Sequence, residues 1–445
     1  MRKDEIDKAS DEITEKLKQR IKDSERMTIV MAPPGSGKTH LLVEVLAEAT
    51  TQNLRVAVAT PTNAQANEVC ERLKDRFPAV PVVRYVSSNF TPEPGHTYTC
   101  TSNKDAVSAL TSGVVVGTVA KWGFVDFRDE QPFDYLVIEE SWQVKLSDFM
   151  PLLPISGKFI LIGDPGQIDP VVSIDASRWA TSQVGPHKAA PDAVIATEID
   201  DLETLRLPAT RRLPLDSADL ISNFYDFDFE AYAGPNERKL EFTKKIQDQN
   251  FRQLWQHCEG STTIGLTLDP IKLDGPPPLE GDRLIAELTA KTIAALLEMK
   301  PVAHVSQGES LELLPQHIGI AATRRVLVQD LIQSLPSNLR EQIRVDTPER
   351  WQGLQRPVMF AVHPLSSVIR PSSFDLETGR LCVMASRHKT QLFVVSRGHI
   401  DEMLAEYDPP GDQALGGMDN SGRGHSSHEQ FISELKKKGM WLKAA

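Results

Sequence analysis

The stretch MTIVMAPPGSGKT, residues 27–39, decides the fold class. Met27 to Met31 form an apolar, β-branched run that reads as a buried strand, and His40 to Glu48 read as a helix. Between them lies a turn that follows the template G-x-x-x-x-G-K-[ST], with Ala32 in place of the first glycine. Gly35 and Gly37 permit the tight turn whose amide groups point at phosphate oxygens. Lys38 is placed to reach the β- and γ-phosphates, and Thr39 to offer its hydroxyl to Mg²⁺. The helix that follows adds its N-terminal dipole. Pro34, Gly35, Ser36, Gly37, Lys38, Thr39 and His40 are therefore the expected nucleotide cradle.

Working outward, further apolar runs recur at 55–60 (RVAVAT), 113–118 (GVVVGT), 135–139 (YLVIE) and 159–163 (FILIG). Near-continuous apolar strands are buried on both faces, as in a parallel sheet covered by helices. Strand and helix alternate, which predicts an α/β three-layer domain. A second series at 318–322, 342–347, 358–363, 380–385 and 391–396 predicts a second parallel sheet. Helices are expected at 282–299 and 325–335, with a leading solvated helix before residue 27. Residues 173–201 read as a long connection, 273–278 as a Pro-rich loop and 408–427 as a flexible linker. A short helix is expected within 428–442.

The chain has 445 residues, enough for two or three buried cores without a disulfide or metal staple. Lys+Arg is 49 and Asp+Glu is 61, giving a net charge of −12, so bulk basicity does not argue for a nucleic-acid partner. Cys70, Cys100, Cys258 and Cys382 are scattered without a CxxC pair, which disfavours a zinc cluster and fits a reducing cytoplasm. No apolar run is long enough to predict a membrane span.

The strand at 135–138 ends in Glu139-Glu140-Ser141. Two carboxylates at the C-terminal edge of a buried strand suit a metal-assisted NTPase. Glu139 is expected to hold Mg²⁺ and Glu140 to position the attacking water. The segment 159–170 repeats the design: an apolar strand runs into Gly163-Asp164 and a turn carrying Gln167, whose neutral amide suits sensing of the γ-phosphate.

This ordered set resembles the superfamily 1 helicases, and within them the branch of the nonsense-mediated-decay RNA helicase and its DNA-helicase relatives. Motif I is similar to 32–39, motif Ia to Ala59-Thr60-Pro61-Thr62-Asn63, and motif Ib to Val116-Gly117-Thr118. Motif II resembles 138–141, with Glu139 where the family usually has Asp, and motif III resembles 163–167. The arginine after motif III falls at Arg211 or Arg212, with Thr210 or Arg211 where the family often has an adenine-stacking Tyr. Motif V is similar to 347–355, with Gln355 on the nucleotide side, and motif VI to 383–389, with Arg387 in the arginine-finger place.

The resemblance implies two RecA-like domains in tandem, with minimal accessory inserts and ATP hydrolysed in the cleft between them. It implies catalytic roles for Lys38, Glu140, Gln167, Arg211 or Arg212, and Arg387. Single-stranded DNA or RNA would run over Thr60, Pro61, Thr62, Asn63, Gly117, Thr118, Thr347 and Trp351. Threonine hydroxyls suit backbone phosphates, and an aromatic ring suits a base. The expected division is a leading helix at 1–26, RecA-like domains at 27–205 and 206–400, and a flexible tail with a short helix at 401–445. The expected activity is a cytoplasmic, monomeric, 5′-to-3′ helicase or translocase using ATP and Mg²⁺, with no membrane contact and an unspecified protein partner allowed. Two alternatives stand beside it. One is a strand-stimulated ATPase that remodels protein–nucleic-acid complexes; the other is a low-turnover nucleotide switch or scaffold.

Overall fold

Alternation along each strand of the N-terminal half sorts its side chains to two opposite faces. Ile29, Ala57, Ala59, Leu136, Ile138 and Leu161 pack on one side with Trp122, Phe149 and Leu152. Val30, Val56, Val58, Val137, Ile160 and Ile162 pack on the other with Leu41, Leu42, Leu46, Val69 and Leu73. A sheet apolar on both faces needs helices on both, and that is the architecture in the computed structural model. It describes residues 3–92, 94–127, 132–172, 175–179, 182–197, 199–242, 251–271, 281–408 and 421–444.

The chain divides into two compact units, 1–165 with 169–208, and 166–168 with 209–445. In the first, the strands are β1 (Met27–Met31), β2 (Arg55–Thr60), β3 (Val82–Tyr85), β4 (Thr99–Thr101), β5 (Gly113–Thr118), β6 (Tyr135–Glu139), β7 (Phe159–Gly163) and β8 (Leu202–Arg206). They form one sheet in the order β4-β3-β5-β2-β6-β7-β1-β8. Every pairing in it is parallel. All strands therefore end at one edge, where β1, β2, β5, β6 and β7 deliver Ala32, Thr60, Thr118, Glu139 and Gly163. In open parallel sheets that edge is where ligands bind.

The leading helix, Lys3–Lys22, is not solvated all round: Ile6, Leu17 and Ile21 are buried. Leu17 and Ile21 join the core against the helix Lys38–Thr51, while Lys22 pairs with Glu48 across the two helices at 3.2 Å. The high charge of this segment hid a narrow apolar stripe. The connection at 173–201 carries a helix, Ala190–Ile195.

The second unit carries β9 (Ala209–Thr210) paired with β10 (Glu230–Ala231). A small antiparallel sheet joins β11 (Lys239–Glu241), β13 (Val302–Ser306) and β14 (Glu309–Glu312). Its main sheet is parallel and runs β16-β15-β17-β18-β12-β19. The strands are β12 (Thr263–Leu268), β15 (Ile318–Ala321), β16 (Arg344–Asp346), β17 (Arg356–Val362), β18 (His388–Arg397) and β19 (Trp441–Lys443). Two parallel sheets flanked by helices follow one another along the chain, the tandem RecA-like arrangement.

Two further elements differ from expectation. The run at 380–385 is not a strand but lies in a helix, Thr378–Ala385. Leu381 to Ala385 are all buried, and a short apolar run enclosed on every side looks the same in either state. The tail is not a flexible end. Residues 273–278 and 409–420 lie outside the described residues, but Ser421–Lys437 is a helix and β19 extends the main sheet beside β12. Phe431, Ile432 and Leu435 are each 1% exposed, and each such burial stabilises by about 1.5–3 kcal/mol. A Cβ on Gly265 would meet the Trp441 ring at 2.2 Å, so glycine in β12 makes room for the tail's tryptophan.

Candidate nucleotide and nucleic-acid sites

The turn after β1 is tied down at its start, where the Ala32 amide donates to the Gly163 carbonyl at 2.9 Å. Ser36 N–H closes onto the Pro33 carbonyl at 3.2 Å, and Gly35 and Gly37 have φ of 69° and 96°. Those positive values require glycine at both places. Ala32 is not among the residues with positive φ, and its small side chain is fully buried, so the missing first glycine costs no backbone strain. The helix begins at Lys38, with Thr39 and His40 in its first turn. The exposed His40 ring meets Arg76 at 3.0 Å. The Ser36 hydroxyl is buried with no hydrogen-bond partner among the described residues.

Lys38 Nζ lies 2.9 Å from Glu140 Oε1 and 3.1 Å from Oε2. Glu140 occupies the left-handed region at φ 53°, ψ 43°, so the chain turns sharply at the end of β6 and aims this carboxylate at the lysine. Strain of that kind at a non-glycine residue is typical of functional turns. Glu139 points into the interior and is 5% exposed. Burial first, then the charge of Glu140, push its carboxyl up to about 8, and Lys38 opposes this. Glu139 Oε2 has no partner among the described residues.

That orphaned buried oxygen, beside the Thr39 turn, fits a hard cation with oxygen ligands. Thr39 and Glu139 are the residues that would hold Mg²⁺, completed by phosphate and water oxygens. Among the described residues no group of three or more His, Cys, Asp or Glu side chains could hold a metal by itself.

In the second unit, the structure brings Arg212, Gln355 and the motif VI segment together. Arg212 Nε donates to Gln355 Oε1 at 2.9 Å, and Nη1 to the Ser386 carbonyl at 3.2 Å. Arg211 instead lies over the Tyr232 ring, 4.3 Å from its centroid. Arg387 follows Ser386 and is 2% exposed, with Nε and Nη2 unpartnered among the described residues. A buried guanidinium with orphan donors is suited to an incoming anion. Gln167 is nearly buried, and its carbonyl lies so close to Gly379 that a Cβ there would meet it at 2.4 Å. The helix Thr378–Ala385 therefore seats the Gln167 segment through a glycine contact.

The residues expected to face a strand divide. Thr62 and Asn63 are exposed, and Thr62 caps the helix Asn63–Arg76 in a reciprocal capping box with Gln65. Pro61 is half-buried before them. Thr118 is half-buried and caps the short helix Val119–Gly123. Thr347 is half-buried and hydrogen-bonds Glu349, which Arg380 holds at 2.9 Å.

Three residues do not fit the expected role. Thr60 is fully buried, and its hydroxyl donates to the Thr62 carbonyl at 2.9 Å, fixing the turn instead of reaching a phosphate. Gly117 is buried against Trp122, whose indole nitrogen a Cβ there would meet at 2.7 Å. Trp351 is fully buried, donates Nε1–H to the Ile320 carbonyl at 2.9 Å and sits against Gly319. It is a core residue and cannot stack on a base.

A family model described as an AAA domain matches residues 14–173, which includes motifs I to III. A curated relative, the DNA replication ATP-dependent helicase/nuclease DNA2 of Saccharomyces cerevisiae, is 20% identical over 395 residues. The match takes in 84% of this chain and 25% of the relative, so the chain spans about a quarter of that protein. The chain resembles the superfamily 1 helicases. Solved structures with similarity include the PRRSV helicase, at 14% identity and TM-score 0.41 over 84% of this chain and 53% of that one. Another is arterivirus nonstructural protein 10 (helicase) in complex with DNA, at 15% identity and TM-score 0.41 over 93% and 65%. The fold assignment rests on the strand order above and not on these overlays.

Against the helicase pattern, Glu139 is one methylene longer than the usual Asp, and it still ends β6 at the sheet edge. One buried charge beside these residues lies outside the motifs. Arg84, in the middle of β3, is fully buried and hydrogen-bonds Asn63 and Asn67. The signal was a lone charge inside the apolar run VVRY.

Proposed function

We propose that this chain is an ATP-hydrolysing helicase motor that moves 5′-to-3′ on a single strand. The observation that carries the reading is the Lys38–Glu140 pair. A P-loop lysine and a strand-end glutamate meet at 2.9 Å on the parallel-sheet edge that also presents Thr62, Asn63 and Thr118. Phosphate and strand chemistry thus share one edge of one domain.

In this reading the turn amides and Lys38 hold the β- and γ-phosphates, and Thr39 and Glu139 would hold Mg²⁺, which when bound would supply neutralising charge to the phosphates. Glu140, released from Lys38 as the lysine turns to phosphate, orients the attacking water. Arg212 is taken as the arginine that accompanies Arg387, a choice supported by its hydrogen bonds to Gln355 and the Ser386 carbonyl. Arg387 supplies the finger that neutralises charge on the transferring phosphoryl group. Gln167 reports the γ-phosphate. The direction of movement rests on the resemblance to the 5′-to-3′ branch. The name of the yeast relative, a DNA replication helicase/nuclease, supports DNA as the first strand to try. Among the described residues no helix is long and apolar enough to cross a membrane.

The test is duplex opening with ATP. A duplex with a 5′ single-stranded tail is expected to separate, and the same duplex with a 3′ tail or blunt ends is not. Opening from the 3′ tail alone would overturn the direction. Opening of none of the three, with hydrolysis still driven by single strands, would replace the helicase with the remodelling ATPase.

A further inference from the structure

Arg84 is a buried cation with no carboxylate counter-charge among the described residues. It is fully buried, yet it forms none of the described ion pairs. Among the described residues its guanidinium is held by uncharged groups: Nε on Asn67 Oδ1 at 3.1 Å, Nη2 on Asn63 Oδ1 at 2.7 Å, Nη1 on the carbonyls of Tyr85 and Val116 at 2.8 and 3.2 Å, and the Phe90 ring with its centroid 5.5 Å away. Burial lowers the guanidinium from its ordinary value, and the weaker influences of Cys70, Cys100 and Tyr98 oppose this. Burial pushes Cys70 and Tyr98 up to about 12 and raises Cys100, so all three are neutral at physiological pH. Arginine keeps its proton in such a place.

Burying a charge without a partner is costly, and a neutral donor such as glutamine would satisfy part of the same geometry at lower cost. The guanidinium bridges the start of the helix Asn63–Arg76 and the end of β5. Asn63 opens the helix behind the exposed Thr62, and Val116 lies just before Gly117 and Thr118 at the end of β5. Arg84 therefore ties together the two pieces of sheet edge that the strand-binding reading uses.

We propose that Arg84 is a positioning residue for single-stranded nucleic acid: it aims Asn63, fixes the end of β5 against the helix Asn63–Arg76, and supplies from beneath the positive charge that the phosphate backbone neutralises. This rests on the strand-binding reading above. A charge under a low-dielectric edge is poorly screened by salt, so it acts on a phosphate without touching it.

The decisive variant is Asn67→Asp. It leaves Arg84 in place and sets a carboxylate where the Asn67 amide now accepts from Nε, supplying the missing counter-charge inside the protein. Binding of fluorescein-labelled oligo-dT and oligo-U to the full chain, followed by anisotropy, is expected to weaken about five- to tenfold. Strand-free ATP turnover and melting temperature are expected to be kept, because the new pair is satisfied. A purely structural arginine predicts unchanged strand affinity, and that result would overturn the proposal. Arg84→Lys and Arg84→Met provide a second comparison. Both lose the fork of hydrogen bonds, but only lysine keeps the charge, so the lysine variant is expected to bind about fivefold more tightly. Equal affinities would overturn the electrostatic role. A wild-type chain that binds neither oligonucleotide overturns the strand-binding reading itself, whereas wild-type binding with an indifferent Asn67→Asp overturns only the role of Arg84.

Discussion

Arg387→Ala is expected to lower strand-stimulated ATP turnover by about 10³-fold or more while the KM for ATP moves by no more than a few-fold. The side chain is buried and two of its guanidinium nitrogens have no partner among the described residues. Its main chain, in contrast, is fixed: the Arg387 carbonyl accepts from Arg356 N–H at 2.9 Å, and the preceding Ser386 carbonyl accepts from Arg212. A rigid backbone carrying orphan donors has paid its ordering cost before the anion arrives. The group to be neutralised bears more charge at its equatorial oxygens in the transition state, so loss of the arginine should fall on kcat. Arg387→Lys is expected to recover little, since a point charge does not replace a planar fork. Equal losses in ATP affinity and in turnover would remove Arg387 from the finger role.

Lys38→Ala is expected to reduce turnover by at least about 10²-fold and to weaken nucleotide binding, with strand affinity within a few-fold of wild type. Lys38 touches both oxygens of Glu140, so its removal also leaves a largely buried carboxylate unpaired. Melting temperature must therefore be measured beside activity. The double variant Lys38→Ala with Glu140→Gln is expected to recover the stability but none of the turnover. Single-turnover hydrolysis checks the first claim, and anisotropy with labelled oligo-dT the second. Turnover retained in Lys38→Ala would rule out this turn as the nucleotide site.

The parts of the fold that were legible in sequence are those where one signal dominates. β1, β2, β5, β6 and β7 are largely apolar runs, four of them ending in Gly, Thr or Glu, and all five lie where the runs predict. The Gly35–Thr39 turn is legible because a phosphate cradle admits few sequences. The rest was hidden for physical reasons. β12 reads TIGLTL, with glycine and threonine breaking the apolar run, and its glycine makes sense only once Trp441 is seen against it. The helix Thr378–Ala385 and a buried strand share one composition. The tail's place in the sheet depends on Phe431, Ile432 and Leu435, spaced for one face of a helix whose partner lies far back in sequence. At the site, a motif says which residue types meet a ligand but not which are exposed. Thr60 and Thr62 are one residue apart on either side of Pro61, and only the second reaches solvent. Arg211 and Arg212 are indistinguishable as letters, and in the fold the first lies over Tyr232 while the second reaches Gln355 and Ser386.

The central claim is that the phosphate turn and the strand-binding edge belong to one coupled machine. The most direct measurement is the steady-state ATPase rate of the wild-type chain with and without poly-dT and poly-U, beside Lys38→Ala. Stimulation by at least one polymer that disappears in Lys38→Ala is the predicted result, and the more effective polymer identifies the strand. A wild-type rate indifferent to both polymers would contradict the account and leave a nucleotide switch in its place.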